Sequence, residues 1–257
     1  MMRLISIVLA VGLAVAAGSA FGGPRRPQGA APKPASPRLL EPVLRLAPSG
    51  APSGRVALTL DACGGRTDTR ILDALVESRI PATIFVTGLW LRHNSKALAV
   101  MRVHPDLFEL EDHGARHKPA VAVPTTIYGV RAAGSPGAVA AEVDDGAFDM
   151  VADGIAAPRW FRGATAKYDR SAMKLIAKLG YRIAGYSLNA DGGSLLGAAV
   201  TDRRVERARD GDVIIAHLNQ PTHAAGEGLV KGLLALKARG VTFVKLNDVS
   251  EVAKGSS

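Results

Sequence analysis

The sequence has one cysteine, Cys63, and few aromatic residues, which account for 5% of its 257 residues. A single cysteine excludes an internal disulfide, and it neither supports nor excludes an oxidising compartment. Lysine and arginine exceed aspartate and glutamate by nine charges, but they form no basic block and no stretch interleaved with aromatic residues. This distribution argues against nucleic-acid binding, whereas it suits a surface that faces an anionic polymer such as an envelope polysaccharide.

The sequence also lacks a stable membrane span near its start. The apolar run Leu4–Ala17 is shorter than the roughly 20 residues that a spanning helix needs. It follows Arg3, and Gly18-Ser19-Ala20 then gives a small-x-Ala cleavage pattern. These features predict a secretory signal peptide over residues 1–20 and a secreted or periplasmic protein, with an uncleaved N-terminal anchor as the alternative.

A proline-rich stretch follows the predicted signal peptide. Residues 21–54 contain eight of the fifteen prolines, separated mainly by small residues and arginine. This composition cannot build a packed core and predicts an extended linker, within which Leu39–Leu46 is a candidate docking segment. We expect a single catalytic domain over residues 55–250 and a C-terminal tail over residues 251–257.

Strand and helix patterns alternate along this domain. Alternation of this kind predicts a mostly parallel sheet with helices outside it, and seven or so units favour a barrel over an open sheet. The predicted strands are residues 55–60, 82–86, 107–110, 159–161, 182–188, 213–216 and 242–245. The predicted helices are residues 69–78, 95–102, 136–153, 171–179, 198–209 and 227–238.

The first predicted strand ends on a carboxylate. In RVALTLDACGG every residue from Val56 to Leu60 is apolar except Thr59, as in a strand that is buried on both faces. Asp61 follows at the carboxyl end, just before a glycine-loosened loop, where α/β enzymes place their chemistry. The alternative is a structural role for Asp61, with Thr67 or Asp68 starting the next helix.

Further polar side chains follow the later strands. In a barrel the carboxyl ends of all parallel strands lie on one face, so these residues are expected to converge there. The residues in question are Asp61, His113, His117, Arg162, Asp191 and His217.

The histidines suggest two kinds of chemistry. A spacing of four residues would place His113 and His117 on one face of a helical turn, close enough to share a metal, with Asp112 orienting one of them. The alternative is a solvated loop that contains two histidines. His217 is either a satisfied near-core residue or a functional group whose tautomer and pKa are set by Asp191.

Five stretches of the sequence resemble the motifs of a known family. TLDACGG, HGARH, FRGATAKY, SLNADGG and VIIAHLNQP occur in this order between Val56 and Val249. They resemble the polysaccharide deacetylases that have a NodB-homology domain. The resemblance implies an α/β fold in the form of an irregular, incomplete (β/α) barrel, here with about seven parallel strands.

The resemblance also implies metal-dependent hydrolysis of N-acetyl groups on a polysaccharide or oligosaccharide. Asp61 would be the general base and His217 the general acid, while His113 and His117 would hold a divalent metal, commonly zinc. By the same resemblance, Asp191 would support the acid. Arg162 would orient the base through a charge-assisted hydrogen bond.

The sequence departs from the family at the metal site. The family's second aspartate, a metal ligand, is Ala62 here, and a methyl group cannot bind a metal. The adjacent Cys63 could supply a thiolate, which zinc favours, or it could be a small buried hydrophobic residue. Water or Asp61 itself could also fill the position. Gly192 and Gly193 stand where the family usually has a tryptophan.

Two alternatives to a deacetylase remain open on the sequence. One is an amidohydrolase that uses the same base, metal and acid on another non-peptide C–N bond. The other, motivated by Ala62, is a deacetylase-like domain that has lost its metal and binds a glycan.

Overall fold

The structure of the protein is a computed structural model that describes residues 37–249 together with the backbone of residues 252–254. The described residues belong to one compact unit. The predicted signal peptide and most of the predicted linker lie outside the described residues. Among the residues that are described, no helix is long and apolar enough to cross a membrane.

The elements alternate as the sequence predicts, with additions. The strands are β1 (Leu44–Leu46), β2 (Arg55–Ala62), β3 (Ala82–Val86), β4 (Phe108–Asp112), β5 (Thr126–Ile127), β6 (Val130–Arg131), β7 (Trp160–Phe161), β8 (Arg182–Ile183), β9 (Leu188–Asn189), β10 (Val213–His217), β11 (Thr242–Val244) and β12 (Val252–Lys254). The α-helices are α1 (Thr69–Glu77), α2 (Gly88–His93), α3 (Ser95–Arg102), α4 (Pro136–Ala152), α5 (Arg170–Lys178), α6 (Ala198–Glu206) and α7 (Ala225–Ala238).

The main sheet is an open barrel of parallel strands. Seven strands follow one another in the order β8-β7-β4-β3-β2-β10-β9, and β11 pairs with the first residues of β2. No pairing joins β8 to β9 in the described part of the chain, so the barrel is incomplete. The prediction of an α/β fold with an incomplete barrel of about seven parallel strands is confirmed.

Strand β2 lies at the centre of this sheet and is buried on both faces, as its sequence predicts. Its residues Val56, Leu58 and Leu60 pack in a large cluster with apolar residues of the surrounding helices. Ala57 points to the other face and packs in a smaller cluster that includes Phe85. Asp68 rather than Asp61 caps α1, by accepting a hydrogen bond from the backbone of the first turn.

The predicted strand over residues 182–188 is wrong in its middle. It is two short strands, β8 and β9, at opposite ends of the sheet, and residues 184–187 cross between them. Ala184 N–H donates to the Phe161 carbonyl, and Ser187 N–H donates to the Val213 carbonyl. The start of the crossing is therefore bonded to one edge of the sheet and its end to the other edge. Glycine is required within it, because a Cβ on Gly185 would lie 2.0 Å from the Pro42 carbonyl oxygen.

The N-terminal segment Leu39–Leu46 docks on the barrel, as the sequence analysis suggested. Leu40 exchanges two backbone hydrogen bonds with Tyr168, and Tyr186 N–H donates to the Pro42 carbonyl. Leu44 and Leu46 are buried in the smaller cluster. This segment therefore lies against the crossing between β8 and β9.

Candidate functional site

The fold brings the predicted site residues together at the carboxyl ends of the parallel strands. Asp61 and His217 are register partners on the adjacent strands β2 and β10. His113 directly follows β4, and Arg162 directly follows β7. Asp61, Cys63, His117 and His217 line a cavity of about 530 Å³.

Arg162 is fully buried and holds the Asp61 carboxylate. Its Nη1 donates to Asp61 Oδ1 at 2.9 Å and to Thr59 Oγ1 at 2.9 Å. Its Nε and Nη2 donate to the carbonyl oxygens of Ala184 and Gly185, each at 3.1 Å. The guanidinium is thus fixed from several sides, which is what a buried charge requires.

This contact sets the charge of Asp61. Burial alone would raise the pKa of the Asp61 carboxyl, but the positive charge of Arg162, with smaller contributions from His113 and His217, lowers it overall. The carboxylate is therefore ionised at neutral pH and can accept a proton.

His113 is held in one tautomer. Its Nδ1 lies against the backbone carbonyl of Arg162, which can only accept, so Nδ1 carries the proton. Nε2 then presents a lone pair, and it lies 3.5 Å from Cys63 Sγ and 3.8 Å from Asp61 Oδ2. Burial lowers the pKa of His113, so the ring is a neutral donor of the kind that metals bind.

His117 lies beside His113, but the predicted helical turn is wrong. The ring centroids are 5.1 Å apart, and His117 has a positive φ of 56° in an irregular loop. The loop binds Glu142 of α4, whose Oε1 accepts from the backbone N–H groups of Arg116 and Lys118 at 2.8 and 3.0 Å. A buried carboxylate from a distant helix thus replaces the helical hydrogen bonds on either side of His117.

The expected role of Asp112 is also wrong. Its Oδ1 accepts from Gly114 N–H at 2.7 Å, and the His113 ring is instead held by the Arg162 carbonyl. Burial raises the pKa of Asp112 well above its ordinary value. Asp112 therefore shapes the turn after β4 and does not orient a histidine.

Cys63, His113 and His117 form a candidate metal centre. Their potential ligand atoms all lie within 4.8 Å of one another. With usual zinc bond lengths, tetrahedral sulfur and nitrogen ligands are about 3.5 Å apart, close to the Cys63–His113 separation. Ala62 is packed in the large apolar cluster and offers no donor. The residues present therefore fit a zinc ion, with sulfur in place of the missing aspartate.

The Cys63 thiol is protonated when no metal is bound. Burial, together with the negative charges of Asp61 and Asp191, raises the pKa of Cys63 well above its ordinary value. Burial, with His113 nearby, lowers the pKa of His117 to about 3, so this ring is neutral. A cation would therefore meet two ready nitrogen donors and one sulfur that must first lose its proton.

His217 is paired with Asp191 on the other side of the cavity. The two carboxylate oxygens lie 3.1 Å from His217 Nδ1, and one of them accepts from the His217 backbone N–H at 2.7 Å. Burial alone would lower the pKa of His217, but Asp191, with a smaller contribution from Asp61, raises it overall. The imidazolium form of His217, which can donate a proton, is therefore favoured more than in an ordinary histidine.

Part of the cavity wall is formed by residues that sequence reasoning missed. Thr165 and Ala166 line it with positive φ values of 67° and 51°, a strained conformation for residues other than glycine. Glu41 comes from the predicted linker, and Tyr128 comes from a segment in which no strand or helix was predicted. Gly129, at the second turn position between β5 and β6, is the residue that fits a hairpin turn, whereas Tyr128 is not a residue that such a turn favours.

Comparison with known proteins identifies the family. The polysaccharide deacetylase family model matches residues 49–184, more than half of the chain. The chain therefore belongs to the polysaccharide deacetylase family, whose enzymes are hydrolases that deacetylate carbohydrates. None of the curated proteins compared with the sequence matches it.

Solved structures support the same fold. A CE4 family pseudoenzyme from Bacillus anthracis is 20% identical with a TM-score of 0.63, over 82% of this chain and 69% of that one. A peptidoglycan N-acetylglucosamine deacetylase is 19% identical with a TM-score of 0.60, over 79% and 90%. A family 4 carbohydrate esterase from Streptomyces lividans, in complex with acetate, is 18% identical with a TM-score of 0.54, over 71% and 88%.

The His217–Asp191 pair predicts a measurable titration. In the wild type the imidazole NMR signals of His217 should titrate above the ordinary histidine pKa. In Asp191→Asn the raising charge is lost while burial remains, so the pKa of His217 should fall below the ordinary value. Asp106→Asn, which changes a half-exposed carboxylate on a surface ion pair, is the control and should leave the titration unchanged. An unaltered titration in Asp191→Asn would contradict the assignment.

Proposed function

We propose that this protein is a secreted, zinc-dependent hydrolase that removes N-acetyl groups from a glycan. The observation that supports this function is a proton acceptor and a proton donor that lie at the ends of the adjacent strands β2 and β10. Arg162 keeps Asp61 ionised as a proton acceptor, and Asp191 favours the protonated form of His217, which can act as a proton donor. Hydrolysis of an amide needs such a base and such an acid within one site.

In this reaction each residue has a separate task. Cys63, His113 and His117 would hold the zinc, which when bound supplies Lewis acidity for the acetyl carbonyl and the attacking water. Asp61 takes the proton that the water loses as its oxygen attacks the carbonyl carbon. His217 gives its proton to the nitrogen as the C–N bond breaks, which leaves acetate and a free amine on the sugar.

The family and the charge of the chain support a glycan as the substrate. Peptidoglycan is the substrate named for one of the similar solved structures, and the formal net charge of +9 suits an anionic envelope polymer. Export is supported by Arg3 and the apolar run up to Ala17. Sequencing the amino terminus of the mature protein checks export, with cleavage after Ala20 as the expected result.

A binding protein without a metal is the second candidate, and Ala62 is the observation that favours it. Loss of the aspartate removes one expected ligand. A pure binder, however, has no need for the Asp61–Arg162 and His217–Asp191 pairs, which bury charges at a cost. The pairs therefore favour the hydrolase.

Acetate release tests the hydrolase. Zinc-loaded protein should release acetate from N-acetylglucosamine oligomers, and Asp61→Asn should lower kcat by about 10²–10⁴-fold, since general-base catalysis contributes on that order. Asp145→Asn, a half-exposed surface carboxylate, is the matched control and should be as active as the wild type. Undiminished release in both Asp61→Asn and His113→Ala would exclude the mechanism, and release only from small non-sugar amides would reassign the substrate.

Zinc affinity tests the role of Cys63. Cys63→Ala should weaken zinc binding by about 100-fold or more in competition with a chromophoric chelator, because even outer partners of a ligand are worth about 10–100-fold. Cobalt substitution should give a sulfur-to-metal charge-transfer band in the wild type that Cys63→Ala lacks. Equal zinc affinity in both proteins would remove Cys63 from the site, and no zinc binding by either would favour the metal-free binder.

A further inference from the structure

We propose that Glu142, on α4, is a positioning residue that holds His117 in place for the metal, so that zinc affinity depends on a residue that is not itself a ligand. This inference rests on the proposed function, since the metal is the zinc ion that Cys63, His113 and His117 would hold. It goes beyond that function because it assigns the metal centre a determinant on a helix that does not line the catalytic cavity.

The two candidate histidine ligands are held in different ways. The His113 ring is fixed by the Arg162 carbonyl, and its backbone N–H donates to the Val86 carbonyl of the sheet at 2.9 Å. The His117 ring has no hydrogen-bond partner among the described residues, so its place is set by the backbone that carries it. That backbone has a φ of 56°, which a residue other than glycine keeps only when surrounding contacts impose it.

Glu142 supplies these contacts. Its Oε1 accepts from the backbone N–H groups of Arg116 at 2.8 Å and Lys118 at 3.0 Å, the residues on either side of His117. Its own backbone carbonyl accepts from Ala115 N–H at 2.9 Å. Three amide groups of the turn that carries His117 are therefore bonded to a single residue of α4.

Helix α4 also packs on this turn without an intervening side chain. A Cβ on Gly146 would lie 2.8 Å from the carbonyl carbon of Gly114, closer than real side chains approach. Glu142 lies on the same buried face of the helix and is 1% exposed. A carboxylate in such a place costs free energy of folding unless hydrogen bonds compensate it, and the bonds that do so include the two from the turn. Removing the carboxylate therefore releases the backbone on both sides of His117.

A double-mutant cycle on zinc affinity tests the positioning role. Glu142→Ala should weaken zinc binding by about 10- to 100-fold in competition with a chromophoric chelator, the range that outer partners of metal ligands are worth. In a His117→Ala background the same change should have little further effect, because Glu142 acts through His117. Glu142→Gln keeps an acceptor oxygen in the same place and should restore most of the affinity.

The matched control is a second carboxylate on the same helix. Asp145 is half-exposed and pairs with the Arg116 side chain at 3.0 Å, so it touches the same turn without bonding to its backbone. Asp145→Asn should bind zinc as the wild type does. A loss of affinity in this variant as large as that in Glu142→Ala would contradict the assignment to Glu142.

Cobalt separates a displaced ligand from a lost fold. At saturating cobalt, Glu142→Ala should keep the sulfur-to-metal charge-transfer band, because Cys63 and His113 are not bonded to Glu142. If Glu142→Ala does not fold, Glu142→Met, which has an unbranched side chain of similar length without an oxygen, takes its place. Failure of both variants to fold would overturn the proposal, since Glu142 would then be a structural residue.

The outcomes distinguish this inference from the proposed function. Equal zinc affinity in the wild type and Glu142→Ala, or an equal loss with and without His117, would overturn the positioning role and leave the hydrolase standing. The expected cycle in a protein that releases no acetate would refute the hydrolase and retain the positioning role. A wild type that binds no zinc would overturn both.

Discussion

The buried guanidinium of Arg162 is the interaction on which the rest of the site depends. It bonds to Asp61 on β2 and to the carbonyl oxygens of Ala184 and Gly185, where the chain crosses the open side of the barrel. Its own backbone carbonyl fixes the tautomer of His113. A charge can be buried here only because these partners surround it. One residue therefore contacts the crossing between β8 and β9, sets the charge of Asp61 and fixes the tautomer of His113.

The same low-dielectric environment affects the protonation of each group differently, depending on the nearest charge. Asp61 is ionised beside Arg162, and the pKa of His217 is raised beside Asp191. Where no countercharge is in contact, burial keeps the groups neutral, as at His117 and the Cys63 thiol. These residues thus avoid an unpaired buried charge. Under the proposed function, a zinc ion held by Cys63 would displace the thiol proton, so zinc affinity would rise with pH until that proton is lost.

The sequence was sufficient to predict that these side chains lie together, because one topological rule does most of the placement. Polar residues at the carboxyl ends of parallel strands share a face, which holds for Asp61 and His217 whatever the details of the loops. The predictions of local structure were wrong where contacts with distant segments determine the conformation. The conformation of the turn at His117 is set by hydrogen bonds to Glu142, which lies 25 residues further along the chain. Glu41 reaches the cavity from a proline-rich stretch. Such contacts leave no local periodicity to read.

The fold by itself does not decide whether this chain is an enzyme, because one of its similar solved structures is a pseudoenzyme and another a deacetylase. The departure from the family's ligand set lies at a single position, Ala62. Ala62 removes an oxygen ligand, but the next residue places a sulfur 3.5 Å from His113 Nε2. Replacing a buried ion pair such as Asp61–Arg162 by well-packed apolar residues is often neutral or stabilising, so stability alone does not require the pair. Under the proposed function, the presence of this pair beside Cys63 fits a substituted metal ligand better than a lost one.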